Sequence, residues 1–406
     1  MKALFLVMDG MADMSHSELG WMTPLQAAST PNLDRLAREG CCALMYPLGP
    51  GICPSSEVAH WEMFGYRPEE FTGRAYLHAL DAGLPCEPGD ALFMFNLVAV
   101  ERRREGVFIA DAGETSIADV CSEWAERLAR LTPGNMELHY MGGIEFIAVV
   151  RGGSCRIQPT DPFVHHRPVA GLQAAEGWGE DPETVGTLEA LRGFMEKAGE
   201  ELGRGADAGG LDLGLIMKWP SRAGTVEPFE ARHGMRAAAV VSTPCFSGMA
   251  GLLSMRLERV GEGEAAVELS EKLRVAGDLL GEGWEFVFVH TKQADEAAHR
   301  GDPVAKKEII EAMDGALAGC GISWEDPDLL TVITADHSTP TARDPRIIHG
   351  GDPVPVLFHA VTARRDGLVG FDEVSAASGA MGQLRGKDLM PLILYLTRKA
   401  PFYTGS

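Results

Sequence analysis

At 406 residues the chain exceeds what one hydrophobic core usually organises, so two domains are expected. Hydrophobic residues at 45% and charged residues at 23% exclude an intrinsically disordered chain. A formal net charge of -22 argues against nucleic acid and anionic membranes as partners, and an anionic substrate would need local positive charge, which divalent cations can supply.

The first apolar run, 3–8 (ALFLVM), reads as a buried strand that stops at Asp9-Gly10. It is too short for a secretion signal, and no stretch approaches the eighteen apolar residues of a membrane span. Eight cysteines without a Cys-x-x-Cys pair fit a reducing compartment, so a cytoplasmic protein is expected. Asp9, a carboxylate at a strand end, is a candidate metal ligand, although Asp-Gly is also a common turn. Residues 30–38 have a Thr cap, Pro31 in the first turn and helical apolar spacing. In Pro54-Ser55-Ser56-Glu57-Val58-Ala59-His60 two hydroxyls precede a helix. They read either as caps or as a nucleophile favoured by the helix dipole.

The next region has a different composition. Strand patterns at 91–100, 107–110, 136–140 and 145–150 surround one helix at 117–131, an α+β set expected to form a smaller inserted cap domain over 86–170. Residues 1–85 and 171–406 are then expected to form the catalytic domain. In the latter segment strands at 213–217, 237–241, 286–289 and 329–333 alternate with helices at 182–202, 264–280, 303–317 and 387–396. That alternation predicts an α/β fold with a layered, mostly parallel sheet and helices on both faces. Asp295 and His299 stand four apart and share a helix face, as a metal-ligand pair or as a solvated edge. Asp336-His337 follows the 329–333 strand, as two ligands or as a polar turn. In His349-Gly350-Gly351-Asp352-Pro353 the glycines let backbone approach a site, or simply make a loop. Each site alone is ambiguous. Together they offer seven oxygen and nitrogen ligands, the number two divalent ions need to grip the entering and leaving oxygens of an in-line displacement.

The order Asp9-Gly10, Ser56 ahead of Ala59-His60, Asp295-Glu296-x-x-His299, Asp336-His337-Ser338-Thr339-Pro340 and His349-Gly350-Gly351-Asp352-Pro353-Val354-Pro355 resembles the alkaline phosphatase superfamily. More narrowly it resembles the archaeal-type cofactor-independent phosphoglycerate mutases. Thr23-Pro24-Leu25-Gln26, Thr30-Pro31-Asn32-Leu33-Asp34, Gly65-Tyr66-Arg67-Pro68 and Thr72-Gly73-Arg74 add to the likeness. The resemblance implies an alkaline-phosphatase-like sheet carrying two divalent ions, manganese, zinc or magnesium. Asp295, His299 and His349 would hold one, and Asp9, Asp336, His337 and Ser56 the other. Ser56, three residues before Ala59-His60, would be the nucleophile that carries a phosphoryl group between neighbouring hydroxyls of a small phosphorylated substrate.

Parts of the cap region depart from the family pattern. Met94 stands where the family has an arginine, Ala110-Asp111-Ala112-Gly113-Glu114 replaces an arginine-rich element, and Gly143-Ile144-Glu145 replaces a His-Arg. Guanidinium forks are the usual readers of phosphate and carboxylate. Arg74, Lys218, Arg222, Asp161 and His166 are the substrate-binding candidates that remain, while Arg102, Arg103 and Arg104 read as a charge run on a solvated face. Three activities are therefore weighed: mutase; the same metal site acting as a phosphatase, phosphonate hydrolase or phosphotransferase; and a non-catalytic metal-bound regulator.

Overall fold

The computed structural model describes residues 1–110, 114–163, 167–203, 212–342 and 347–404. Strands β1 (Lys2–Met8) and β2 (Cys41–Tyr46) come first. There follow β3 (Ala91–Arg103), β4 (Gly106–Ile109), β5 (Met136–Gly142), β6 (Glu145–Val150) and β7 (Asp212–Arg222). The chain then makes β8 (Ala237–Val241), β9 (Arg256–Arg259), β10 (Phe286–Thr291), β11 (Leu329–Thr334), β12 (Val354–His359) and β13 (Gln383–Arg385).

The chain divides into two compact units, one of Met1–Phe71 with Val226–Ser406 and one of Thr72–Thr225. Among the described residues of the first unit, eight strands pair in the order β13-β2-β12-β11-β1-β10-β8-β9. β1 lies in parallel between β10 and β11, and β8 and β9 continue in parallel beyond β10. The sheet is mostly parallel, as the apolar runs predict, and the antiparallel pairs are those of β12 with β11 and β2. β1, β10 and β11 are buried almost end to end, which is why each reads as a continuous apolar run rather than an alternation. Phe5, Phe64, Phe286 and Phe288 interlock beneath them with ring centroids about 5–6 Å apart. Because β1, β10 and β11 are parallel, their C-terminal ends open on one edge, the place where α/β sheets gather ligand-binding groups.

The second unit is an antiparallel sheet in which β3 pairs with β6 and β4, and with β7 along most of its length. Helices Glu114–Ala129 and Pro182–Leu202 share its core, where Phe93 and Phe95 meet Trp124, Leu128, Leu191 and Phe194. This unit is wider on both sides than the expected 86–170 segment. The 182–202 helix and β7 belong to it because their apolar residues are buried in its core, a non-local fact that no local pattern announces. No helix of the described residues is long and apolar enough to cross a membrane.

Candidate metal centre

Asp9 leaves the end of β1 and Asp336 follows β11 by two residues, so adjacent parallel strands deliver two carboxylates to one place. Asp336 Oδ1 accepts from the backbone N–H of Gly10 at 3.3 Å and of His337 at 3.1 Å. Gly10 has φ +62°, and a Cβ there would lie 2.6 Å from Thr339 Oγ1 and 2.8 Å from Asp295 Cα, so only glycine fits. Helix Ser56–Met63 starts with Ser56 itself; Ser55 occupies the cap position, yet its hydroxyl makes no capping bond. Ser56 Oγ lies 2.9 Å from His337 Nε2 instead, aimed into the centre rather than at its own helix.

The remaining ligand candidates close around these. In helix Gln293–His299, Asp295 and His299 share a face, and His299 Nε2 lies 3.3 Å from Asp295 Oδ1. His349 Nδ1 donates to the Pro54 carbonyl at 2.7 Å, which turns its Nε2 towards Asp295 Oδ1, 3.8 Å away. The His349 ring stacks on His337 with centroids 3.6 Å apart and planes 14° from parallel. Ligand atoms of Asp9, Asp336 and His337 all lie within 4.8 Å of one another, and so do those of Asp295, His337 and His349. All seven residues expected in the centre therefore converge, with His337 common to both groupings and His299 touching Asp295 from the exposed side.

The arrangement concentrates buried acceptors. Asp9 Oδ1 and Asp336 Oδ2 are buried without any hydrogen-bond donor, and each sits 3.3 Å from His337 Nε2. Burial, and then the charges of Asp336 and Asp295, push the Asp9 carboxyl well above its ordinary range. Burial opposes ionisation of Asp295 too, but the hydrogen bond with His299 and the nearby imidazoles hold it below the ordinary range. Burial pushes His337 down to about 4, which favours the unprotonated imidazole that a cation would bind. Carboxylate oxygens and imidazole lone pairs converging without donors suit divalent ions with mixed oxygen and nitrogen ligands.

The substrate-binding candidates fall in the second unit and scatter more. In β7 the pairing with β3 slips between Leu92 and Met94, opposite Trp219, which has φ +51°. The irregularity turns the Trp219 ring so that Arg74 Cζ lies 3.9 Å and Lys218 Nζ 4.2 Å from its centroid. Arg74 and Lys218 are thus brought together. Arg222 is exposed at the far end of β7, and the Asp161 carboxylate accepts from the Phe163 N–H at 2.8 Å, closing a turn. His166 lies outside the described residues. Met94, directly opposite Lys218 in the ladder, is fully buried.

Four further residues escape the sequence reading. His60 and His290 lie buried behind the carboxylates, His290 Nε2 being 3.3 Å from Asp9 Oδ2 and His60 Nδ1 3.7 Å from Asp336 Oδ2. The signals that could find them are the Ser56–His60 spacing of four and the lone polar residue ending FVFVH. In the second unit Asn96, with its amide oriented to accept from Lys218 Nζ at 3.1 Å, and the buried His78 join the Arg74–Lys218 cluster. His78 is pushed down to about 3 by burial and by those two cations.

Residues 1–396 match the metalloenzyme superfamily. The chain is similar to the 2,3-bisphosphoglycerate-independent phosphoglycerate mutase of Methanopyrus kandleri, 35% identical over 97% of this chain and 95% of that one. Among solved structures it resembles a Pyrococcus horikoshii protein, with TM-score 0.77 and 24% identity over 100% of this chain and 99% of the other. It also resembles a cofactor-independent phosphoglycerate mutase from Thermoplasma acidophilum, with TM-score 0.62 and 24% identity over 98% and 100%. The two structural likenesses show a shared fold.

Proposed function

Because this chain belongs to the metalloenzyme superfamily and, within it, to the 2,3-bisphosphoglycerate-independent phosphoglycerate mutase family, we propose that it interconverts 2- and 3-phosphoglycerate through a phosphoseryl intermediate on Ser56. The observation that carries the proposal is the Ser56 hydroxyl, 2.9 Å from His337 Nε2 among buried carboxylate oxygens that have no donors. Asp295, His299 and His349 would hold one divalent ion, and Asp9, Asp336, His337 and Ser56 a second, with manganese, zinc or magnesium as candidates. Such ions, when bound, supply positive charge that favours the Ser56 alkoxide and neutralises phosphoryl oxygens.

Ser56 Oγ stands at the first turn of its helix, where the dipole also favours negative charge. This oxygen forms a new bond to the phosphorus as the bond from phosphorus to the substrate oxygen breaks, and the proton Ser56 gives up ends on that leaving oxygen. The glycerate then carries two free hydroxyls. Its neighbouring oxygen takes the phosphoryl group back, and Ser56 regains its hydroxyl. Arg74 and Lys218, with Asn96 holding the lysine, are the groups we assign to the substrate's anionic ends. The Arg222 side chain and Asp161 are secondary candidates, and the cytoplasm is the proposed compartment.

One observation favours a second reading, in which the same centre hands its phosphoryl group to water or another alcohol. Met94 fills the β3 position with a buried thioether, so the cation at this level of the sheet is the Lys218 ammonium on the neighbouring strand, a point charge in place of a fork. A phosphorus NMR time course with 3-phosphoglycerate and manganese separates the readings. Growth of the 2-phosphate signal is the expected result. Free phosphate in its place would establish a hydrolase, and no change in either signal would reject phosphoglycerate as the substrate.

A further inference from the structure

Thr339 lies in the turn after β11, and its backbone is clamped on both sides. Its N–H donates to the Ala12 carbonyl at 3.0 Å, and its own carbonyl accepts from the buried ammonium of Lys306 at 2.9 Å. Lys306 is held in turn by Asp13 Oδ2 at 2.9 Å, whose carboxylate also accepts from the Thr341 N–H. The Thr339 hydroxyl therefore has a fixed origin. It stands 2.8 Å from Asp295 Oδ1 and 3.0 Å from His337 Nδ1.

A hydroxyl has one proton to give. The Thr339 hydroxyl donates to Asp295 Oδ1, so its proton is spent there. His337 Nδ1 must then be the donor to Thr339 Oγ1, which places a ring proton on Nδ1. The other ring nitrogen, Nε2, faces Asp9 Oδ1, Asp336 Oδ2 and Ser56 Oγ and is the one left to a cation. The same hydroxyl thus orients Asp295 of one ligand group and His337 of the other, and it is the only side chain among the described contacts that bonds to both. We propose that Thr339 is a positioning residue that fixes the metal-binding tautomer of His337 and couples the two cation positions. This rests on the metal-centre reading above.

Two measurements test it. In the full-length, cation-free protein, imidazole 15N shifts should show a proton on His337 Nδ1; a bare Nδ1 overturns the proposal whatever any variant does. Manganese titration followed by EPR then compares wild type with Thr339→Val, which keeps the branched shape but loses the hydroxyl, and with Thr339→Ser, which keeps the hydroxyl. Thr339→Val should weaken manganese binding by about 10- to 100-fold, the range for lost supporting contacts to ligands. Thr339→Ser should restore most of that affinity. Binding by Thr339→Val equal to wild type, or an equal loss in the serine variant, sinks the coupling role. Wild type that binds no manganese would instead reject the metal-centre reading, while the tautomer measurement would still judge the hydroxyl's part.

Discussion

The two units keep their charged groups on opposite terms. In the first, carboxylates and imidazoles are buried at the ends of parallel strands, and several of their polar atoms have no donor among the described residues. In the second, Arg74 and Lys218 remain partly exposed and lean on an indole turned by an irregular strand. A buried anionic cluster is a store of electrostatic strain that an ion can relieve, so its geometry tolerates little change. A pair of partly solvated cations costs little to keep and can be moved or exchanged, so recognition can diverge while the centre stays constant.

The contrast can be broken most sharply at Ser56. Ser56→Ala is expected to lower turnover by about a thousandfold or more, the scale of a lost covalent nucleophile, with no loss of fold because the Ser55 position already caps without a side-chain bond. Single-turnover transfer assayed beside circular dichroism checks both halves, and full activity in the variant would remove Ser56 from the mechanism. Next, Asp9→Asn should reverse sign with conditions. In EDTA at neutral pH it should raise the melting temperature by a few degrees, since it replaces a carboxyl whose ionisation burial, Asp336 and Asp295 oppose in the folded state alone. With manganese present the stabilisation that wild type gains should largely vanish. A variant that melts lower in EDTA would contradict the strain argument.

In the second unit the expected effects are smaller and fall on binding. Arg74→Gln or Lys218→Met should lower kcat/KM by about 10- to 100-fold, mostly through KM, as when one charge-assisted contact is lost. A fall confined to kcat would instead place these residues in the chemistry. The smallest effect concerns Glu373, a buried carboxyl of the first unit outside the centre. Burial pushes it up to about 7, against hydrogen bonds from Thr23 Oγ1 at 2.7 Å and from the Asp13 N–H at 3.0 Å. The native state therefore holds this proton more tightly than the unfolded chain. Its stabilising contribution is complete below pH 4.5 and is lost as pH rises to about 7. Melting curves of wild type relative to Glu373→Gln should fall across that window and run level above it. Parallel curves throughout would show that Glu373 titrates alike in both states.

The candidate centre is legible in the sequence because its residues stand beside local signals and their order resembles a known family. Asp9 and Asp336 follow apolar strands, Ser56 begins a helix, and Asp295 with His299 has the spacing of one helical face. His60 and His290 are lost among apolar neighbours, where a histidine looks like core and only the ring packing against Phe246 and Phe288 shows what they touch. β7 reads as a strand, yet nothing local says that it joins β3, because sheet membership is set by a partner more than a hundred positions away. Among the described residues β2 and β12 pair only with each other and with the flanking β11 and β13, and although glycine and proline stand close to both runs, nothing local says which strands they join. The Trp219 conformation is likewise fixed by pairing rather than by residue type.

The position of β1 between β10 and β11 also sets a schedule. The Thr72–Thr225 unit is one continuous stretch and can fold as soon as it leaves the ribosome. β1 cannot, because both of its neighbours are made long after it, the second ending at Thr334. At ordinary synthesis rates an apolar strand waits without a partner for on the order of tens of seconds. Nascent chains thus hold β1 without its neighbours until β11 is made, and the candidate ligand residues can come together only once His349 has been added.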